Sequence, residues 1–372
     1  MTERPWLAHY DHAVPETLVP YPRRTLVDLV GDAARRRPEH PALLFHGASL
    51  TYSELDRLSD SLAVALMQMG VTSGDRVTLL MPNCPNFIIA QLGAWKAGAI
   101  VSPLNPLYTE QELEHAIKET GSVVAIALTP YYDALRAIQP RTSLKRIIAT
   151  SIKEYLTFTN RMFFTIFKER QEGHQVKLEK GDQWLDDLLR MHSGARPSTM
   201  PIEPEAPALL MFTGGTTGRS KAALSSHHAL LMSGMQIQAW LAGIREDWKD
   251  ITLLFMPMFH TYGNIGAFSA AVVSHNTMVP IANPRDLKSL IQIIEHTRPS
   301  YLCGVPTLFT ALLNHPQVLA GQVDFSSIKL CLCGAAALML ETKKRFEALT
   351  GGTIVEGYAL TETVMGAVVT PV

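Results

Sequence analysis

Residues Thr213 to Lys221 read TGGTTGRSK, six residues drawn only from Thr and Gly followed by Arg219, Ser220 and a lysine. Glycines permit positive φ and close backbone approach, and successive amide N–H groups in such a turn form a concavity that binds anions. The threonine hydroxyls add donors, and the Lys221 ammonium adds a point charge suited to phosphate. The chemistry that fits is the grip on a polyphosphate. It is not a Walker A loop: counted from Gly215, Lys221 falls in register, but Ser220 stands where the second glycine belongs and Ala222 follows the lysine. Nor does it match GxGxxG. The bland alternative is a flexible glycine-rich connection carrying an incidental lysine.

Other reactive types occur further along. His260 ends the apolar run DITLLFMPMF, and EGYALTET places Tyr358 beside a hydroxyl, Thr361, and a carboxylate, Glu362. A lone histidine of this kind is usually hydrogen-bonded structure, and a lone tyrosine usually core. Ser226 and His227 are adjacent, but the chain has no GxSxG nucleophile elbow, and neighbours in sequence cannot form a triad. His227-His228 lacks the downstream aspartate of an HHxxxD motif, and HExxH is absent.

These residues need elements to hold them. The chain has 372 residues, 47% hydrophobic and 18% charged, enough for a large core and for more than one subdomain. Thirty-three basic against thirty-four acidic residues give a net charge of -1, so no global field draws it to nucleic acid. Cys84, Cys303, Cys331 and Cys333 sit mostly in apolar runs and read as reduced, buried core thiols. The N-terminus lacks a signal-peptide pattern, and no apolar run reaches the ~18 residues of a membrane span, which suits a cytosolic protein.

Apolar strand-like runs alternate with helix-period segments. SLTYSEL leads into a helix starting near Ser53 and Glu54 and stopping at Gly70; DRVTLLMP, AIVSPLN and SVVAIAL alternate with CPNFIIAQLGAWKAG and ELEHAIKETG. From about Thr150 to Pro204 the pattern breaks, as in a crossover or insertion. It resumes with strands PALLMF, DITLLFMPMF, TMVPIA, PSYLCGV, IKLCLCG and GTIVEGY, separated by helices LKSLIQIIEHT, PTLFTALLNH and LETKKRFEALT. The expected fold is α/β, two similar subdomains with mainly parallel sheets packed together, residues 1–200 and 201–372. The TGGTTGRSK turn then follows the strand PALLMF, at the carboxyl end where open α/β sheets bind ligands.

With Ala222 in place of a final glycine, the loop resembles the [ST]GGTTGxxK phosphate signature of the adenylate-forming (AMP-binding) superfamily. MPMFHTYGN resembles its P-x-F-H motif, LCGAAAL its Gly-Ala turn, and EGYALTET its GYGxTE motif, with Ala359 replacing a glycine. NPLYT and GVPTLFTALLNHP look like the medium- and long-chain fatty acyl-CoA synthetase branch. Motifs in the right order cover nearly the whole chain.

The resemblance implies that Thr213, Gly214, Gly215, Thr216, Thr217, Gly218 and Lys221 hold the phosphates of ATP. It implies that Gly334, Ala335, Ala336, Glu356 and Gly357 bind the nucleotide, with Gly334 and Ala335 against adenine and the acyl carboxylate, and that Tyr358 stacks on adenine. Thr361 would contact the α-phosphate, Glu362 would hold Mg²⁺, and His260 would orient the carboxylate as a donor and not as a general base. An acyl channel would run past Tyr262, Gly263, Gly266 and Val305. The implied reaction converts a fatty acid and ATP to an acyl-adenylate and then transfers the acyl group to coenzyme A. A domain loading a carrier protein, a non-catalytic acyl- or nucleotide-binding protein and a luciferase-type oxidoreductase share these motifs. Members of the family continue past GYGxTE with a Thr-Gly-Asp motif and a small domain bearing the adenylation lysine. This chain ends at MGAVVTPV, so the resemblance implies the N-terminal part of a longer ligase. EYLTFTNRMFFTIFKERQEG, Glu154 to Gly173, mixes four phenylalanines with Lys and Arg; it suits peripheral membrane contact or, since its apolar residues are not cleanly one-sided, a segment tucked on the protein's own surface.

Overall fold

The structure, a computed structural model, describes residues 4–198, 202–214 and 220–372. It resolves into two compact units. One is Val27–His227; the other joins the stretch up to Leu26 to His228–Val372. The division therefore falls at 227/228 where the sequence pattern suggested 200/201, because the strand PALLMF and the one after it extend the first sheet.

In the unit Val27–His227, β1 (Pro41–Phe45) and β2 (Ala48–Thr51) form an antiparallel hairpin. The main sheet contains β3 (Arg76–Leu80), β4 (Ile100–Pro103), β5 (Val124–Leu128), β6 (Arg146–Thr150), β7 (Gln183–Trp184), β8 (Pro207–Phe212) and β9 (Ala222–Ser226). Its order is β7-β6-β5-β3-β4-β8-β9, parallel throughout except for the antiparallel pair β8-β9. The helix Tyr52–Gln68 starts at a capping box in which Thr51 accepts from the Glu54 N–H and the Glu54 carboxylate accepts from the Thr51 N–H. Its stop is Gly70, at φ +87°. The helix Pro85–Lys96 is buried on all sides, which explains its continuous apolar sequence. The Lys96 ammonium is held there by Asp56 at 2.6 Å and Asp60 at 2.7 Å.

The second unit carries β10 (Ile251–Leu254), β11 (Thr277–Pro280), β12 (Tyr301–Gly304), β13 (Leu330–Cys333), β14 (Thr353–Leu360) and β15 (Met365–Val369). The order is β15-β14-β13-β12-β10-β11, parallel except for the antiparallel pair β14-β15. The helices Leu287–Thr297 and Leu340–Thr350 coincide with the periodic segments read from the sequence. All four cysteines are free and buried, and burial pushes the Cys84, Cys303 and Cys333 thiols up to about 12, as expected of inert core groups.

Candidate active site

The phosphate-loop residues lie on the unit Val27–His227, between β8 and β9. Phe212 pairs with Ala222, and the ladder continues one step further, with the Thr213 N–H donating to the Lys221 carbonyl at 2.9 Å. The Ser220 hydroxyl donates to the Thr213 carbonyl. Thr213 and Lys221 thus extend the antiparallel pair β8-β9 by one step. The AALSS run that supplies β9 lacks the β-branched and aromatic residues that announce a strand. The buried Trp95 indole anchors the hairpin by donating to the Ala208 carbonyl at 2.8 Å. Lys221 is exposed and forms no ion pair among the described residues, and Gly214 is exposed with open space where a Cβ would stand. Gly215, Thr216, Thr217 and Gly218 lie outside the described residues. His227, which follows β9, is buried edge-on against Trp95 with ring centroids 5.5 Å apart, and burial lowers its pKa to about 4.

The remaining candidates belong to the other unit. At the carboxyl end of β13, buried Gly334 donates its N–H to the Gly304 carbonyl at 3.2 Å. A Cβ on Gly334 would lie 3.3 Å from the Tyr262 ring and 3.4 Å from the Gly357 carbonyl oxygen, a tight fit that a larger side chain could enter only if these neighbours gave way. Ala335 follows at φ +68°, a left-handed conformation uncommon outside glycine, and is exposed together with Ala336. Strain of this kind persists where the surroundings over-determine the backbone. Here the Glu356 carboxylate helps, accepting from the Leu338 N–H at 3.1 Å to hold the turn against β14. Tyr358, next but one along β14, is 61% exposed, so its ring face is free of the core. Thr361 is half-buried and Glu362 exposed in the turn joining β14 to β15.

That turn is also strained. Val364 has φ +55° and Met365 φ +103°, unusual for any side chain and more so for a β-branched one. It is pinned by the Thr363 hydroxyl near the Leu360 and Met365 carbonyls, at 3.1 and 2.7 Å, and by the Ser233 hydroxyl donating to the Val364 carbonyl at 2.8 Å.

His260 is exposed, and its Nδ1 accepts from the Tyr262 N–H at 3.2 Å. The neutral ring then carries its proton on Nε2, where it can donate. Desolvation by the surrounding protein lowers its pKa below the ordinary 6.5, which keeps the imidazole neutral. Tyr262 is buried, and its hydroxyl reaches the Gly304 and Leu332 carbonyls at 3.1 and 2.5 Å. Burial raises the phenol far above its ordinary value, so it acts as a neutral donor.

Gly263 is not part of the wall of the cavity that Gly266 borders. A Cβ there would stand 2.3 Å from both the Met256 and the Pro257 carbonyl oxygens, so this glycine lets the turn after FH close on itself. Val305 caps the helix Pro306–Leu313 and is not part of the cavity wall. Gly266 does line a cavity, of about 670 Å³, bounded by β12, β13, β14 and β15. The cavity has room because Gly266, Ala267, Ala270 and Ala271 put only small side chains on that face of the segment Tyr262–Val273. Trp6 and Tyr10, from the N-terminal stretch, complete the wall. The sequence reading named Gly266 but not Ala267, Ala270 and Ala271, although Gly-Ala and Ala-Ala pairs four apart in an apolar helix are a legible sign of space.

Among the described residues no group of three or more His, Cys, Asp or Glu side chains could hold a metal ion. An exposed single carboxylate, Glu362, next to a hydroxyl fits a Mg²⁺ that arrives with phosphates, because that ion is commonly held by one or two carboxylates plus phosphate oxygens.

The relatives agree on one lineage. The chain is 33% identical over 364 residues to the long-chain-fatty-acid–CoA ligase of Bacillus subtilis, covering 97% of this chain and 64% of that protein. It is 30% identical over 361 residues to the long-chain-fatty-acid–CoA ligase of Escherichia coli, covering 96% of this chain and 64% of that protein. The chain thus spans about two thirds, 64%, of the length of these curated relatives. Among solved structures, an anthranilate CoA ligase in complex with anthranoyl-AMP superposes with a TM-score of 0.80 at 21% identity, over 94% of this chain and 63% of that one. A long-chain-fatty-acid-CoA ligase from Archaeoglobus fulgidus gives 0.79 at 20% identity, over 97% of this chain and 69% of that one. Both share the fold of two mainly parallel sheets. The AMP-binding enzyme family matches residues 30–372 of the chain, which therefore belongs to it.

Proposed function

We propose that the protein of which this chain forms part activates a medium- or long-chain fatty acid with ATP and transfers the acyl group to coenzyme A. The observation that carries the reading is the apolar cavity of about 670 Å³ in the same unit as Gly334, Tyr358 and His260, a size and lining suited to a hydrocarbon tail. The names of the relatives agree with it.

In the first step the fatty carboxylate attacks the α-phosphorus of ATP, forming acyl-adenylate and releasing pyrophosphate. In the second the thiol of coenzyme A, losing its proton, attacks the acyl carbonyl and AMP leaves. The first barrier is one of alignment and charge, so hydrogen-bond donors and cations can lower it without a protein nucleophile. Thr213, Gly214 and Lys221 would grip the phosphates, together with Gly215, Thr216, Thr217 and Gly218. Gly334, Ala335 and Ala336 would admit the planar adenine and the carboxylate close to the backbone, with Tyr358 stacked on the ring and Glu356 and Gly357 setting its place on β14. Thr361 would donate to the α-phosphate, and Glu362 would hold the Mg²⁺ that neutralises phosphate charge when bound. The proton on His260 Nε2 would orient the carboxylate. Gly266 would border the tail, and Tyr262 would brace Gly334.

The test is calorimetric titration of the chain with non-hydrolysable acyl-adenylates of increasing tail length, compared with Tyr358→Ala. Affinity that rises with tail length and falls in the variant supports the reading. Affinity independent of the tail would assign the cavity no acyl role and overturn it.

A further inference from the structure

The segment Phe158–Lys168 is one continuous helix, α-helical through Phe163 and widened into a π turn from Phe164. It is fastened to its own unit from one side. The Thr157 hydroxyl caps the Asn160 N–H, and the Asn160 amide donates to the His46 carbonyl at 3.0 Å. The Arg161 guanidinium donates to the Lys153 and Glu154 carbonyls at 3.1 and 3.3 Å. Phe164 is buried edge-on against the His174 ring, and Glu169 pairs with Lys153.

The other side is exposed. Phe158, Met162, Phe163, Ile166 and Phe167 are 78, 49, 55, 66 and 57% exposed. They form two rows at four-residue spacing, 158/162/166 and 163/167, and the Phe163 and Phe167 rings lie 4.9 Å apart. The sequence alone left both peripheral membrane contact and a segment tucked on the protein's own surface open; here Phe164 is buried and the other five apolar side chains of the helix are exposed. Soluble surfaces rarely expose so many large apolar groups together, and such patches mark sites of association.

The charges around the patch identify the partner. Of the exposed charged side chains between residues 156 and 173, three are cationic, Arg161, Lys168 and Arg170, and one is acidic, Glu172, which lies 3.8 Å from Lys168. A second carboxylate, Glu169, is buried and paired with Lys153, so the stretch keeps a net positive charge. Aromatic and aliphatic side chains on one face with cations at its borders suit a helix lying in the plane of an anionic lipid surface. A spanning role is excluded for it, since among the described residues no helix is long and apolar enough to cross a membrane. We infer that Phe158–Lys168 is a peripheral anchor that inserts its five apolar side chains into the surface of an anionic bilayer. Its lipid affinity is independent of which acid the other unit binds.

The test is co-sedimentation of the chain with vesicles of phosphatidylcholine alone and of phosphatidylcholine mixed with phosphatidylserine, with sedimentation velocity in the absence of lipid. Binding to the mixed vesicles is expected to exceed binding to the neutral ones and to weaken with salt. Phe163→Glu with Ile166→Glu should reduce it at least about tenfold. Lys168→Glu with Arg170→Glu should remove the preference for phosphatidylserine while leaving weak binding to both vesicles. All four positions are exposed, so thermal melts should match the wild type. No binding to either vesicle, or equal binding by the apolar double variant, overturns the inference. Self-association that this variant abolishes, without vesicle binding by the wild type, would overturn it in favour of an interface between two copies.

Discussion

The Tyr262 hydroxyl lies 3.1 Å from the Gly304 carbonyl oxygen, while the Tyr262 ring fills the space where Gly334 lacks a side chain. One residue therefore ties the turn after FH to the carboxyl ends of β12 and β13. Its hydroxyl is fully desolvated, so the bond is costly to lose. Tyr262→Phe keeps the ring and removes one donor, while the Gly304 carbonyl keeps the Gly334 N–H, so the unit should lose about 0.5–1.5 kcal/mol. Chemical denaturation followed by tryptophan fluorescence reads this directly; an unchanged midpoint and slope would mean the hydroxyl contributes nothing.

Two glycines separate structural from functional need. Gly263→Ala forces a methyl to within 2.3 Å of two backbone oxygens, so the turn must open, at a cost of at least about 3 kcal/mol. Gly214→Ala meets open space and no positive φ, so stability should stay within about 0.5 kcal/mol of wild type. Equal melting temperatures for the two variants would contradict this placement of Gly263.

The contrast also shows what the sequence could convey. Leu287–Thr297 was legible to the residue because its apolar side chains recur at helical spacing, and PALLMF because a short apolar run between turn residues is a buried strand. The segment YGNIGAFS was not, because it is buried on all sides and carries two glycines, leaving no period to read. β7 has only two residues, and β15 begins at the second of two consecutive residues at positive φ that no local rule anticipates. At the site, residue types announced chemistry, but neighbours could not be read. Gly263 and Gly266 look equivalent in sequence, yet one packs against backbone and the other borders a cavity.

Buried His227 and half-buried Glu154, whose carboxylate sits among the Asn86, Thr150 and Ser151 donors, titrate in opposite senses. Burial raises Glu154 from 4.5 to about 7, so its contribution is fully present below 4.5 and is lost as pH rises through 7. Burial lowers His227 from 6.5 to about 4, so its contribution is present above 6.5 and is lost as pH falls through 4. Each shift corresponds to up to about 3 kcal/mol, and over pH 4.5–6.5 the two slopes largely cancel. Glu154→Gln should unmask the histidine, giving a protein whose stability falls on acidification more steeply than wild type. His227→Leu should show the reverse slope. Parallel stability profiles for all three proteins would mean that neither group is desolvated as described.

Ala270 offers the sharpest test of the cavity as an acyl site. It is 5% exposed and lines the wall, so Ala270→Phe has empty volume to occupy and should leave the fold intact. Each methylene transferred from water into an apolar cavity gains about 0.8 kcal/mol, about a fourfold rise in affinity. In the wild type, affinity for acyl-adenylates should climb by about that factor per carbon until the cavity is full. The phenylalanine occupies space the tail would take, so the climb should stop several carbons earlier while the shortest acyl-adenylates bind as before. Calorimetry across the tail series distinguishes the outcomes. A uniform loss at every length would mean the ring disturbs the carboxylate end, and no change at any length would place the tail outside this cavity.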